Sequence, residues 1–86
     1  MEKTIHTDEY AALLALLRDA RRAAGLTQVR LAKKIGQSQS FVSKAEVGER
    51  RLDVIQLRTI CHGLGTTLPA FIARLEDRLT KKQKRK

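Results

Sequence analysis

Four polar side chains carry the chemistry that stands out in this sequence: Gln39, Ser40, Ser43 and Lys44. At helical spacing they form adjacent stripes on one outward face. The Gln39 amide can pair with N6 and N7 of adenine, the Lys44 ammonium can donate to O6 and N7 of guanine, and a serine hydroxyl can bond to either base. We therefore predict that these side chains read the edges of DNA bases. The alternative is an ordinary solvated helix face.

The stretch from Thr27 to Glu46 must position that face, and its pattern predicts two short helices broken at Gly36. Thr27 is placed to cap helix 2. Ser38 can accept a backbone N–H at the start of helix 3, which is expected to span roughly Ser38 to Val47. A link of about three residues forces the two helices to cross steeply.

Contacts to the DNA backbone are expected at two places. At the start of helix 2, Thr27 and Gln28 can bond phosphate oxygens where free N–H groups and the helix dipole favour an anion. Arg50 and Arg51, in the charged loop after helix 3, can reach a neighbouring phosphate. The alternative for both arginines is that they are ordinary solubilising charges.

Three further amphipathic segments are expected to support this pair of helices. Helix 1 is capped by Thr7 and runs to about Ala24. Its predicted stripe is apolar apart from the charge of Arg21, and its other members are Tyr10, Leu13, Leu14, Leu17, Ala20 and Ala24. Asp53 caps helix 4 and Thr67 opens helix 5. The inward positions predicted for helix 4 are Val54, Leu57, Ile60, Cys61 and Leu64. With no β pattern, the prediction is an all-α, compact five-helix domain.

The chain is expected to divide into a flexible leader at 1–6, the folded domain at 7–80 and a basic disordered tail at 81–86. The tail holds five of the 18 Lys and Arg residues, and the whole chain has a net charge of +9 and a pI near 10.5. A polyanion is the natural partner, nucleic acid first and an anionic membrane surface second. Either the tail is merely disordered and soluble, or it adds affinity for DNA phosphates that does not depend on the base sequence.

Several function classes are excluded by what the sequence lacks. Cys61 is the only cysteine, so neither an internal disulfide nor a multi-cysteine metal site can form. His6 and His62 build no catalytic or metal cluster with it, and we expect no enzymatic activity, cofactor or metal. No signal peptide or transmembrane segment is recognised. The predicted location is the cytoplasm, associated with the nucleoid.

From Arg21 to Leu64 the sequence reads RRAAGLTQVRLAKKIGQSQSFVSKAEVGERRLDVIQLRTICHGL and resembles the Cro/repressor-type (Xre-like) helix-turn-helix family. The shared features are GLTQ opening helix 2, glycine in the turn, S-x-S-x-V-S-K-x-E in helix 3, and GERR before another amphipathic helix. The resemblance implies a lambda repressor-like fold, a phosphate-binding glutamine at Gln28 and base readers at the four helix 3 positions. It also implies a buried ion pair between Arg21 and Glu46.

The sequence departs from the family pattern at three positions. Val47 stands where the family often has an asparagine that bonds phosphate, which valine cannot do. Gln37 occupies a turn position that is usually apolar. Ala45 replaces a larger residue, and Phe41 is expected to fill the space that it leaves.

Together these features predict a sequence-specific, double-stranded DNA-binding transcriptional regulator with helix 3 in the major groove. It is expected to bind a palindromic operator as a homodimer, on half-sites roughly 34 Å apart. Helix 5 has more apolar residues than so small a domain can bury, so Phe71 and Leu79 are predicted to form the dimer interface. The alternative is an antitoxin or transcription bridging factor, whose main contact is a protein partner such as a toxin.

Overall fold

The structure, a computed structural model, describes residues 7–84, with the backbone alone for 82–84. Five helices and no strand make up this part of the chain, which confirms the predicted all-α fold class. The helices are α1 Asp8–Ala23, α2 Gln28–Ile35, α3 Gln39–Glu46, α4 Val54–Gly63 and α5 Leu68–Lys84. None of them is long and apolar enough to cross a membrane.

Each helix begins where a side-chain oxygen accepts a backbone N–H from the first turn. The acceptors are Thr7, Thr27, Ser38, Asp53 and Thr67. At α4 the cap is reciprocal, because the Gln56 side chain also accepts from the Asp53 N–H at 3.0 Å. These short-range bonds satisfy N–H groups that a helix leaves free, and they place the helix starts where the sequence predicted them.

The turn between α2 and α3 depends on Gly36, which takes a left-handed conformation with φ 71°. Its backbone and that of Gln37 donate back to carbonyls of the last turn of α2, at 3.3 and 2.9 Å. A residue with a Cβ is strained in this conformation, so glycine ends α2 sharply. Three residues separate α2 from α3, and the two helices pack directly against each other.

The core lies where α1 and α4 meet the helix pair α2–α3 on one side and α5 on the other. Leu16, which lies off the apolar stripe predicted for helix 1, is only 1% exposed. It faces Ala73 and Arg74 of α5 across a cleft. The predicted stripe was incomplete because α1 is covered from two directions, by α3 and by α5.

Phe71 is fully buried, with 0% of its surface exposed, so the prediction that it forms a dimer interface is wrong. It belongs to the core cluster together with buried residues of α1 and α4. The first turns of α5 fill the space between those helices, and the largest side chain in this part of α5 lies innermost. Leu79, further along the same helix, is only half-buried.

Two other boundaries differ from the prediction. α5 continues to Lys84, so disorder from residue 81 is wrong for 81–84, while 85–86 and the predicted leader at 1–6 lie outside the described residues. Lysine and glutamine favour helix, and Lys81 pairs with Asp77 one turn back, at 3.4 Å. Val54, predicted to be inward, is the first residue of α4 and is 61% exposed, whereas Leu57, almost one turn further along, is buried.

Gly63, the last residue of α4, lets that helix approach α2 closely. A Cβ at this position would lie 2.7 Å from Cγ2 of Ile35 and 3.0 Å from Cδ1 of Leu31. Cγ2 of Ile35 is attached directly to Cβ and has little freedom to move. Contact between α2 and α4 therefore requires glycine here.

Gly63→Ala is expected to lower the free energy of unfolding by about 1 to 3 kcal/mol, because the added methyl overpacks the contact. Alanine by itself stabilises a helix by roughly 1 kcal/mol relative to glycine, so the destabilisation from overpacking acts against this gain. Urea unfolding measures the change. In an Ile35→Ala background the loss should shrink, and an equal loss in both backgrounds would contradict the clash.

Candidate nucleic-acid interface

The outward face of α3 is available to a partner along its length. Gln39, Ser40 and Lys44 are exposed and Ser43 is half-buried. The opposite side of the helix is buried through Phe41, Val42 and Ala45. The structure thus places all four predicted base readers on one short helix whose other side is held by the core.

Ala45 packs tightly despite its small size. The cavity beside it has a volume of about 10 Å³ and is lined by Leu17, Leu31, Val42 and Ile60, together with Glu46. Leucines of α1 and α2 are among the walls of this space, and the expectation that Phe41 fills the rest of it stays a prediction.

Phe41 lies under the turn. It lines a cavity of about 80 Å³ next to Gln37, with Ile35 and Ile55 on other walls. Gln37 itself is exposed, because its amide stays in water rather than filling an apolar space. The departure from the family pattern at this position therefore leaves a small cavity between the turn and α4.

A buried ion pair joins α1 to α3. Nε of Arg21 lies 2.6 Å from Oε2 of Glu46, and Nη2 lies 3.2 Å from Oε1. The two side chains are 11% and 5% exposed. Nη1 of Arg21 also donates to the Leu26 carbonyl at 2.8 Å, and Arg18 donates to the backbone carbonyl of Glu46 at 3.1 Å. Each nitrogen of the Arg21 guanidinium thus donates to one acceptor.

Two glutamines extend this ion pair to the surface. Nε2 of Gln28 donates to Oε1 of Glu46 at 3.0 Å, and Nε2 of Gln39 donates to Oε1 of Gln28 at 3.1 Å. A predicted phosphate contact and a predicted base reader are therefore bonded to each other and to the buried carboxylate. Sequence reasoning missed this chain, because no spacing rule connects residues on three different helices.

Thr27 uses its hydroxyl oxygen to cap α2, accepting from the Arg30 N–H at 3.1 Å. Its O–H proton remains available to a phosphate oxygen. Gln28 follows at the first helical position, half-buried, with one N–H of its amide unused by Glu46. The start of α2 thus presents several donors in the region where the helix dipole favours an anion.

Both loop arginines stack on aromatic rings. The guanidinium of Arg50 lies 5.0 Å from the ring centre of Phe41, and that of Arg51 lies 4.6 Å from the ring centre of Tyr10. Stacking uses the face of a guanidinium and leaves its in-plane N–H groups free. Both side chains are exposed, and Arg51 is directed towards the start of α1.

Val47 closes α3 as its C-cap residue and is 53% exposed. An apolar side chain in this place offers no hydrogen bond to a phosphate. Cys61, in contrast, is fully buried, and burial raises the pKa of its thiol. It behaves as a small core residue. Within residues 7–84 no group of His, Cys, Asp and Glu side chains is arranged to hold a metal ion.

A family model described as helix-turn-helix matches residues 17–71, more than half of the chain. The chain belongs to the XRE-type helix-turn-helix family. One solved XRE-family like protein, from Pseudomonas syringae pv. tomato str. DC3000, is 53% identical with a TM-score of 0.80, over 87% of this chain and 92% of that one. None of the curated proteins compared with the chain matches it.

Two regulators with lower identity have similar structures. A point mutant of the restriction-modification controller protein C.Esp1396I is 25% identical, with a TM-score of 0.79, over 87% of this chain and 95% of that one. The clp gene regulator ClgR from Corynebacterium glutamicum is 26% identical, with a TM-score of 0.73, over 86% and 79%. These XRE-type and regulator relatives support a DNA-binding transcription regulator and confirm the repressor-like fold.

Arg21→Ala is expected to lower the free energy of unfolding by about 3 to 5 kcal/mol, because it leaves the Glu46 carboxylate buried without a partner charge. Chemical denaturation monitored by circular dichroism measures this loss. The matched control is Arg78→Ala, which removes an exposed ion pair with Asp19 at 2.9 Å. That variant should lose far less. Equal losses in the two variants would show that the buried pair contributes no more to the free energy of unfolding than the exposed pair does.

Proposed function

We propose that this XRE-type protein is a sequence-specific, double-stranded DNA-binding transcription regulator that docks α3 in the major groove. The observation that carries the proposal is the division of α3 into a buried side and an exposed polar side free of acidic residues. A helix enters the groove only if its outer face suits the base edges and another helix braces it. The proposed base readers are Gln39, Ser40, Ser43 and Lys44.

Around α3, four side chains are proposed to bind the DNA backbone: Thr27, Gln28, Arg50 and Arg51. The first two lie at the start of α2 and the other two in the loop after α3. Their free N–H and O–H groups can bond phosphate oxygens, which sets the register of the protein on the duplex. The role proposed for the chain is binding rather than catalysis, without a cofactor, in the cytoplasm.

Selection of bound duplexes from a random pool tests this function, and a defined consensus is expected. Lys44→Ala should then relax the preference at one base pair by about 1 to 3 kcal/mol, because it removes the donor to guanine. Affinities of the selected duplex and its single-base variants measure the change. Equal affinity of the wild-type chain for selected and random duplexes would defeat the proposal.

The matched control for Lys44→Ala is Lys33→Ala. Both lysines are exposed and both substitutions remove one positive charge, but Lys33 lies on α2 outside the proposed reading face. The control should weaken binding, if at all, by a similar factor for every sequence and more at low salt. If Lys44→Ala behaves in the same way, Lys44 contacts phosphate and does not read a base.

The regulator is further proposed to act as a homodimer on a palindromic operator, because two-fold symmetry lets two copies of α3 reach successive half-sites. Phe71 cannot contribute, and Leu79 keeps its predicted role. Val54 and Ile55 form a more exposed apolar pair, 61% and 66% exposed in the first turn of α4. We propose that a second copy covers them, since contact through α4 leaves the outward face of α3 free.

Ile55→Glu is expected to shift the protein from dimer to monomer, because it places a charge in the proposed contact. Sedimentation equilibrium measures the mass, and operator affinity should fall at protein concentrations where the wild-type chain is dimeric. The control is Arg58→Glu, an exposed change on the same helix. A monomeric wild-type chain would contradict the dimer and favour the alternative in which a different protein, such as a toxin, is the partner.

A further inference from the structure

The chain of hydrogen bonds from Glu46 to Gln39 has a direction. The Glu46 carboxylate is paired with Arg21 and can only accept hydrogen bonds. Gln28 must therefore turn its NH₂ group towards Glu46, at 3.0 Å, which leaves its carbonyl oxygen facing Gln39. Gln39 must then donate, and its Nε2 lies 3.1 Å from that oxygen. The buried charge thus sets the orientation of both amides.

This orientation determines what Gln39 can offer to a base. Its amide has two N–H donors and one carbonyl acceptor, and the bond to Gln28 uses one of the donors. One N–H and the carbonyl remain, and Gln39 itself is exposed. Adenine presents an acceptor at N7 and a donor at N6 in the major groove, so it matches the remaining pair.

Guanine does not match the same arrangement. It presents two acceptors, N7 and O6, and needs two donors. With one N–H of Gln39 held by Gln28, the carbonyl oxygen of Gln39 would face O6 of guanine, acceptor against acceptor. An amide without this constraint could turn both N–H groups towards guanine. The bond to Gln28 therefore selects between the two purines.

We propose that Glu46, together with Arg21, is a specificity-determining positioning residue that acts through Gln28 to make Gln39 prefer adenine over guanine. Glu46 is only 4% exposed, so it acts through other side chains rather than on a base directly. The inference rests on the proposed function, because it assumes that α3 lies in the major groove. The ion pair would then have a second role besides its contribution to packing, which is to determine the base that Gln39 prefers.

Glu46→Gln tests the proposal by reversing the direction of the chain. The oxygen of the new amide takes the place of Oε2 and keeps the 2.6 Å bond from Arg21. The NH₂ group then takes the place of Oε1, gives up the longer 3.2 Å bond from Nη2 of Arg21 and faces Gln28. Gln28 then accepts from residue 46 and donates to Gln39. Gln39 in turn accepts, which frees both of its N–H donors. The preference at that base pair should change from adenine to guanine, by on the order of tenfold.

The measurement is selection from a random duplex pool, followed by affinities for single-base variants. Gln39→Ala first identifies the base pair that Gln39 reads, as the one position where preference disappears. Gln28→Met then breaks the chain while keeping the ion pair. The lost phosphate contact should weaken binding to every sequence by a similar factor. In addition, the ratio of affinities for adenine and guanine should fall several-fold at the base pair that Gln39 reads, and at no other. Leu14→Val, a core change outside the chain, should leave the preference intact.

The outcomes distinguish a failure of this proposal from a failure of the proposed DNA-binding function. Reversal in Glu46→Gln with narrowing in Gln28→Met supports the proposal. An unchanged adenine preference in either variant overturns it, and so does a wild-type preference for guanine at that base pair. If Glu46→Gln fails to fold, Gln28→Met still tests whether the bond from Gln28 orients Gln39, and an unchanged preference in that variant overturns the proposal. A wild-type chain with no sequence preference at all contradicts the proposed function itself.

Discussion

A guanidinium and a carboxylate buried side by side hold the reading helix in place. Removing two charges from water is costly, and the cost is offset only where geometry and further hydrogen bonds are nearly complete. Arg21 and Glu46 meet that condition through two bonds to each other and through the carbonyl of Leu26. Because these partners lie on α1, on α3 and in the loop before α2, a shift of any one of them would leave a buried charge unsatisfied.

An apolar replacement of such a pair is often as stable as the pair itself, so stability alone does not account for it. The carboxylate does something that an apolar side chain cannot, since it also accepts from Gln28. Through that bond the buried carboxylate fixes the orientation of the Gln28 amide, and through it that of Gln39 on the surface of α3. The same interaction thus joins the packing of the domain to the chemistry of its outward face.

Close packing also restricts movement of α2 and α3. Gly63 lets α4 approach α2, and the space beside Ala45, between α3 and the other helices of the core, is only about 10 Å³. Tightly packed surfaces of this kind have few alternative arrangements. The similarity to regulators that are only 25% and 26% identical shows that this architecture accommodates very different sequences.

Local patterns in the sequence were sufficient for most of the fold. A cap such as Ser38, a left-handed glycine such as Gly36 and a periodic apolar stripe act within about one helical turn, so their effects can be read from neighbouring residues. These signals predicted the five helices, their starts and the four side chains on the outward face of α3. The ion pair of Arg21 with Glu46 came from the family resemblance rather than from any local pattern.

Apart from the end of α5, the errors concern which surfaces are covered. Phe71 was predicted to be at an interface and is in the core, while Val54 was predicted to be inside and is exposed. Leu16, which lies off the stripe predicted for helix 1, is buried. Periodicity shows that a helix has an apolar side, but it does not show where a neighbouring helix ends or whether a second one packs from another direction.

By itself, the sequence determined the secondary structure, the helix-turn-helix and the kinds of side chain available to a nucleic acid. Only the tertiary structure decided how those side chains are oriented, because the amides of Gln28 and Gln39 take their direction from a carboxylate on α3 that is itself held by α1. Hydrogen-bond direction is a property of a connected set of groups. Helix packing alone connects this set.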